Sequence, residues 1–498
     1  MEHTDAYRYS GGIFRHSNEA IDRGHLMQAK DQLDKTVVLG LVAMALAVLI
    51  VANDFTALSV ALPAMEQEFG ADLTTVQWVI NGYALVFGVL IVTGGRLADM
   101  FGRRRIFFLG ASLFAVFSVI GGLAPNVGVL LACRALMGVG GAMIWPAVLG
   151  MTYAILPQSR AGLAGGLILG AAGFGNAIGP LIGGVLTDAL SWRWIFFLNL
   201  PIAAFGMLVT WRVVRADQGT LADQRLDYGG IVLLSIGLLA LLLALDEGID
   251  LGWTDPLIVG LFVLAAATLF GFVLIERRVG AMALVPNDVL ENRAFFPACM
   301  TILMMSALFF AALLYLPQFM TKVLGYSASA SGAGLLPMMG TFAVTSFVAG
   351  PLYERMGPKR IVSLGAAFLA AGIFLLSRVH PTTTYDGLVA GMVVLGIGVG
   401  LFYSSITTTA VTALDPSRSS LAGGIIYMFQ IAGGSIGLGL NTALVVSAGS
   451  LVEGIHRAFL VNAVLAVCGM MIAILFVGGS VDKERLRALR HHHRAHAP

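Results

Sequence analysis

The sequence predicts an all-α polytopic membrane protein, with fourteen spanning helices arranged as two six-helix bundles plus two inserted helices. Three observations predict it. Hydrophobic residues make up 58% of the 498 residues and charged ones 12%, against about 25% charged in soluble domains, so the bilayer is the main solvent. Windows of about 20 apolar residues mark fourteen candidate spans. The string GGRLADMFGRRR (Gly94–Arg105), which joins two apolar runs, has a weaker copy in GPLYERMGPKR (Gly350–Arg360). Aligning Gly95 with Gly350 puts Leu97 on Leu352, Asp99 on Glu354, Gly102 on Gly357 and Arg105 on Arg360. Both copies link two apolar runs, which favours an internal duplication.

The spans run 38–62, 76–97, 106–124, 128–153, 163–187, 194–213, 229–246, 256–275, 295–316, 329–352, 361–379, 387–413, 421–447 and 458–478. Their lysines and arginines test the map. With the amino terminus inside, all but Arg134, Arg193, Lys322, Arg378 and Arg457 of the 30 lie in cytoplasmic loops and tails, the bias that orients spans in a bilayer. Both termini are therefore expected in the cytoplasm and the protein in the cell inner (cytoplasmic) membrane. The acids Asp246, Glu247, Asp250 and Asp255 are expected in one external loop.

The duplication divides the chain. A polar tail (1–35), which lacks the apolar core of a signal peptide, precedes a first six-helix bundle (36–215). An inserted two-helix segment with linkers (216–294) is expected to pack outside both bundles, and a second bundle (295–478) follows. The tail 479–498 is basic and His-containing, and is read as solvated rather than metal-binding. Cys133, Cys299 and Cys468 fall inside apolar runs and are read as small buried hydrophobes, not disulfides or metal ligands.

A charge at mid-membrane depth is costly and a functional candidate. Asp54 and Arg134 are the two well inside the spans. At roughly 1.5 Å per residue, Asp54 lies about 13 Å before Pro63 and Arg134 about 12 Å beyond Asn126, both measured from the outer ends of their spans. Opposite signs at one depth form either a proton-coupling pair or a salt bridge that locks packing. Asp99 and Arg103 are spaced i,i+4 and are expected to pair. Asp99 is also expected to reach the positive amino-terminal end of span 13 near Ser419 and Ser420.

These strings carry a family resemblance. GGRLADMFGRRR resembles the loop between the second and third helices of major facilitator superfamily transporters. Over residues 36–478 the chain looks like the fourteen-helix drug:proton antiporters (multidrug efflux type) of that superfamily. The resemblance implies a major facilitator fold and a conformational gate at Gly95, Asp99, Gly102, Arg103 and Arg104. NDFTALSVALP (Asn53–Pro63) resembles the first-helix signature, with Ser59 where asparagine is common. CRALMGVGGA (Cys133–Ala142) resembles the fourth-helix motif, whose arginine is implicated in proton transfer, a role that carries over to Arg134. GAAGFGNAIGPLIGG (Gly170–Gly184) places Gly175, Gly179, Pro180, Gly183 and Gly184 on the fifth-helix motif that marks antiporters. WRWIFFLNLP (Trp192–Pro201) looks like the entry to the sixth helix, and its tryptophans and Arg193 suit an interfacial anchor.

The second half offers Tyr315, Gln318, Tyr403, Tyr427, Gln430 and Asn441 among many apolar residues, and span 2 adds Trp78, Asn81 and Tyr83. A cavity so lined suits lipophilic compounds. The formal G-x-S-x-G at Gly433–Gly437 lies inside span 13 rather than on a strand–turn–helix, and the chain contains no Walker A or H-E-x-x-H string. An enzyme is therefore disfavoured, and no cofactor, metal or nucleic acid is expected. The expectation is a proton-coupled secondary antiporter, driven by the proton gradient, that exports amphipathic, lipophilic compounds. Its alternative is an exporter of one specific metabolite or antibiotic by the same mechanism. Proton and cationic drug are expected to compete at Asp54. Whether a periplasmic adaptor joins the protein is left open by the sequence.

Overall fold

The structure, a computed structural model, describes residues 34–215, 226–280 and 283–477. The two expected tails lie almost wholly outside the described residues. Among those residues fourteen helices are long and apolar enough to cross a membrane. They are α1 (Lys35–Ala57), α2 (Leu73–Phe101), α3 (Arg103–Gly122), α4 (Val127–Ile155), α5 (Ala161–Ala189), α6 (Arg193–Val213) and α7 (Tyr228–Leu251). The rest are α8 (Pro256–Val279), α9 (Phe295–Lys322), α10 (Leu336–Met356), α11 (Pro358–Ser377), α12 (Tyr385–Ala413), α13 (Ser419–Val446) and α14 (Leu451–Phe476).

Five of these helices start at a side-chain cap. Asp72, Asn126, Asp227, Asp255 and Ser450 each accept a hydrogen bond from a main-chain N–H in the first turn of α2, α4, α7, α8 and α14, satisfying donors that a bilayer-facing end cannot leave unpaired. Apolar side chains also cover the outer surface, since lipid rather than water surrounds it. On α8, Val263 is 63% exposed and Phe270 66%. Cys468, expected to be buried, is exposed on α14, which lipid permits as readily as a core does.

The same packing pattern occurs twice. In the first half α1 packs on α5 and α6, and α4 packs on α2 and α3; in the second half α9 packs on α13 and α14, and α12 on α10 and α11. Adding eight to each label converts one set into the other. The halves meet through related pairs, α2 on α13 and α10 on α5. The inserted α7 and α8 pack on each other, and α8 lies outermost. The expectation that both sit outside the bundles needs correcting for α7. It seats against α2 and α13, one helix from each half, and reaches the space between them.

The helix α7 also runs to Leu251. Asp246, expected in an external loop, is therefore helical. The apolar run stops near that residue, but backbone hydrogen bonding carries the helix five residues further.

Candidate functional site

The core of the first half contains a polar network. Asp54 on α1 and Arg134 on α4 are both fully buried, and Arg134 Nη1 donates to Asp54 Oδ2. Asn199 on α6 donates to the other oxygen, Oδ1, at 3.1 Å, and lies 3.1 Å from Ser118 Oγ on α3. The Ser118 hydroxyl donates to the Phe196 carbonyl at 2.8 Å. Arg134 Nε donates to the Val79 carbonyl on α2 at 2.5 Å, and the guanidinium lies 4.3 Å from the Tyr83 ring centroid. Five helices thus converge on one ion pair. Such a pair survives in a low-dielectric interior only because its remaining hydrogen-bonding positions are largely filled. Asn199 sits within the WRWIFFLNLP string, but the sequence reading did not single it out; a lone amide in mid-span is the signal that could have found it.

Beside this network lies a cavity of about 370 Å³, within the range of small-molecule sites. It is lined mostly by apolar and aromatic side chains from both halves, among them Phe55, Trp145, Phe309, Phe310 and Phe342. Of the residues expected there, Asn81, Tyr403, Tyr427 and Gln430 line it. Trp78, Tyr83, Tyr315 and Asn441 do not. Tyr83 is buried against Phe55 and Phe87, Tyr315 hydrogen-bonds Thr442 at 2.7 Å, and Asn441 pairs with Asn462 inside the second half. A wider chamber of about 630 Å³ shares Phe55, Thr56, Asn176 and Phe310 with it and leads past Pro180 and Gln318 to Lys322, at the end of α9. The cavity therefore opens toward the face opposite Arg103–Arg105.

Two placements differ from expectation. Asp54 is fully buried and is not part of the cavity lining in this arrangement. Its chain neighbours Phe55 and Thr56 do face the cavity, because one residue of helix turns the side chain by about 100°. Asp246, together with Leu242 on the same helix, lines the cavity, and its Oδ2 accepts a hydrogen bond from Asn81 at 3.2 Å. The inserted helix thus supplies a carboxylate to the central space.

The arginine face is closed by contacts between the halves. Asp99 accepts hydrogen bonds from the main-chain N–H of Leu421 at 2.8 Å and of Ser420 at 3.3 Å, at the start of α13, and from Arg103 Nε at 3.0 Å. Arg103 also donates to the Gly150 carbonyl at 3.1 Å and to the Pro416 carbonyl at 2.6 Å. A Cβ on Gly95 would lie 2.6 Å from the Ser420 carbonyl oxygen, so only glycine lets α2 come this close. The duplicate repeats the device more weakly. A Cβ on Gly350 would lie 2.8 Å from the Gly162 oxygen, and Glu354 accepts from the Leu163 N–H at 3.3 Å. Gly102 and Gly357 turn the chain with φ of 101° and 80°. Arg104 binds the Val214 and Trp211 carbonyls at the end of α6 instead, a contact within its own half.

The fifth-helix glycines press α5 onto α1. A Cβ on Gly175 would lie 2.7 Å from the Leu49 carbonyl oxygen, and on Gly179 or Gly183 it would lie 2.0 Å from Thr56 Oγ1 or the Ala57 oxygen. Gly184 faces open space. At the opposite face Trp192, just before α6, is buried and its Nε1 donates to Glu68 at 2.6 Å; Trp194 is more exposed (49%). Arg193 bonds the other Glu68 oxygen at 2.6 Å. Burial pushes the Glu68 carboxyl up, but the hydrogen bonds from Arg193 and Trp192 and the Arg193 charge outweigh it and hold the group below its usual range.

Comparison with known proteins agrees with this architecture. A sequence profile described as the Major Facilitator Superfamily matches residues 44–344 and 298–497. The puromycin resistance protein pur8 of Streptomyces alboniger is 35% identical over 406 residues, covering 80% of each chain. The tetracenomycin C resistance and export protein of Streptomyces glaucescens is 30% identical, covering 82% of this chain and 76% of its own. The multidrug resistance protein Stp of Mycobacterium tuberculosis is 31% identical, covering 81% and 75%. In fold, the chain is similar to the crystal structure of the human organic anion transporter MFSD10, with a TM-score of 0.64 at 13% identity, over 88% of this chain and 100% of that one. With that profile matching most of the chain and relatives aligned along four-fifths of it, this multi-pass membrane protein belongs to the Major Facilitator Superfamily.

Proposed function

We propose that the protein is a proton-coupled antiporter that exports amphipathic, lipophilic compounds across the cytoplasmic membrane, with both termini in the cytoplasm. The observation that carries this reading is a large aromatic cavity backed, one side-chain layer away, by a buried carboxylate–guanidinium pair. The relatives named for multidrug resistance and antibiotic export support it. The arginine-rich face is cytoplasmic by the positive-inside rule, so the arrangement described here faces outward.

Protonation of Asp54 removes the charge that Arg134 and Asn199 hold. The contacts of α1 with α4 and α6 then loosen, and α1 carries Phe55 and Thr56 on the cavity wall. Tyr83 adds a second link, since it touches both Arg134 and Phe55. To face the cytoplasm the protein must break the Asp99 contact with α13. A proton shifts that equilibrium only through its different affinity for the two arrangements, and the intact pair supplies the difference.

Proteoliposomes with an imposed pH gradient test the reading. Wild-type protein is expected to accumulate a lipophilic dye and to release it when a protonophore is added, while Asp54→Asn accumulates none. Dye movement indifferent to the gradient would sink the antiport reading. A second reading, export of one antibiotic, is favoured by relatives named for a single compound. A susceptibility panel on cells with and without the protein separates the two.

A further inference from the structure

We infer that the inserted pair α7–α8 moves as one body with the second half, tied to it by the strap that follows α8 (residues 283–294), so that the seam opening toward the arginine face runs between α7 and α2. This goes beyond the export reading, since it concerns the motion and not the cargo. Packing alone does not assign the insert, because α7 lies against α2 of one half and α13 of the other. The contacts at its two ends do.

At the arginine face the strap is fixed at three points. Glu276, buried near the end of α8, accepts from the Leu284 and Val285 N–H groups at 3.1 and 3.2 Å. Asp288 pairs with Arg418 at 2.5 Å, in the turn that leads into α13. Asn292 donates to the carbonyl of Ala413, the last residue of α12, at 3.0 Å, and its Oδ1 accepts from the Ala294 and Phe295 N–H groups where α9 begins. Between these points Leu284, Val285 and Val289 are buried. The end of α8 is thus joined to the ends of three second-half helices. A main-chain group held away from water is costly to release, whereas an exposed ion pair adds little by itself. Glu276 and Asn292 therefore carry the tie, and Asp288 adds charge complementarity to it.

At the opposite end, Trp253 lies in the turn after α7 and fills space that two glycines leave. A Cβ on Gly248 would lie 2.6 Å from its ring, and one on Gly439 of α13 would lie 3.1 Å from it. The first half holds the insert less firmly. Asn81 on α2 donates to Asp246 at 3.2 Å, and the buried Arg96 on α2 is attracted by Glu276 and Asp288 but repelled by Arg418. When two bodies rotate about their interface, an element pinned at both ends to one of them travels with it, and α2 is the neighbour left behind.

Nitroxide distance measurements on the full chain in nanodiscs, with the three native cysteines replaced, test this. Labels go on Arg105 in the first half, on Arg360 at the equivalent place in the second and on Arg278 of α8, all exposed. The arginine face is opened by Gly95→Val and, separately, by Asp99→Asn. The 105–360 and 105–278 distances are expected to lengthen together by more than about 5 Å, while 278–360 stays within about 2 Å. Cutting the strap with Asp288→Arg/Asn292→Ala is expected to broaden the 278–360 distribution, with a single cooperative unfolding transition as the check on folding. The proposal is overturned if 278–360 changes while 105–278 holds, if all three distances change, or if neither variant lengthens 105–360, since no seam then opens there. A cut strap that leaves 278–360 as narrow as before overturns it too. No gradient or exported compound enters the measurement, so a failure of the antiport reading leaves this result standing.

Discussion

Asn199 Nδ2 on α6 lies 3.1 Å from Asp54 Oδ1 on α1, across 145 residues of sequence, and Arg134 holds the other oxygen. The carboxylate is therefore clamped from two sides by helices of one bundle. Its charge, rather than its shape, is what those helices share.

That arrangement makes a stability prediction. Removing one member of a buried pair strands the other and costs about 3–5 kcal/mol, whereas apolar replacement of both is close to neutral or stabilising. Arg134→Met is expected to lower the thermal unfolding midpoint in detergent more than the double variant Asp54→Leu/Arg134→Met does. A double variant less stable than the single one would make the pair a net source of stability.

The close approach of α2 to α13 predicts a conformational trap. Gly95→Val places side-chain atoms where the Ser420 carbonyl sits, so the halves must separate at the arginine face. Spin labels at Arg105 and Asp415, both exposed at that face, are expected to move apart by several ångströms, and export should fall. An unchanged distance distribution would show that the helices accommodate the branch locally.

The Glu68 clamp predicts a pH response. Its carboxyl is held below the ordinary value of 4.5 by Arg193 and Trp192. A depressed carboxylate adds stability that is fully present above the unfolded value and fades as pH falls through the folded one. The side chain is 42% exposed, so the effect is expected to stay under about 1 kcal/mol. Between pH 7 and pH 3.5 the wild-type midpoint should drop more than that of Glu68→Gln; parallel curves would remove the clamp from the account.

Glu276 predicts an effect on the inserted pair. Its buried carboxylate accepts from the Leu284 and Val285 N–H groups at 3.1 and 3.2 Å, folding the linker under α8. Glu276→Ala leaves two main-chain donors unpaired, at a cost of roughly 1–3 kcal/mol. Proteolysis is expected to cut near residue 284 faster in this variant than in wild type. Equal cleavage rates would mean that the linker is held by its apolar residues alone.

Much of the architecture was legible because a bilayer reads the chain along one axis. An apolar run of about 20 residues crosses it whatever lies elsewhere, so fourteen spans and their order followed from local composition. Helical rise placed Asp54 and Arg134 at one depth. The i,i+4 spacing of Asp99 and Arg103 marked their pairing, whereas the contact with α13 was implied by the family resemblance and the positive end of a helix. Depth and spacing are properties of a few neighbouring residues.

Direction around each helix was not legible in the same way. Asp54 and Phe55 are adjacent, yet one faces a buried guanidinium and the other the cavity; Asn81 lines the cavity while Tyr83, two residues on, packs behind it. A rotation of about 100° per residue separates these fates, and it is set by which distant helices pack alongside. Asp246 is the sharpest case. Its sequence setting, at the end of an apolar run among other acids, marked it as loop. Only the seating of α7 between α2 and α13 turned it into the cavity, because the depth of a helix is fixed by its own side chains and its facing by those of its neighbours.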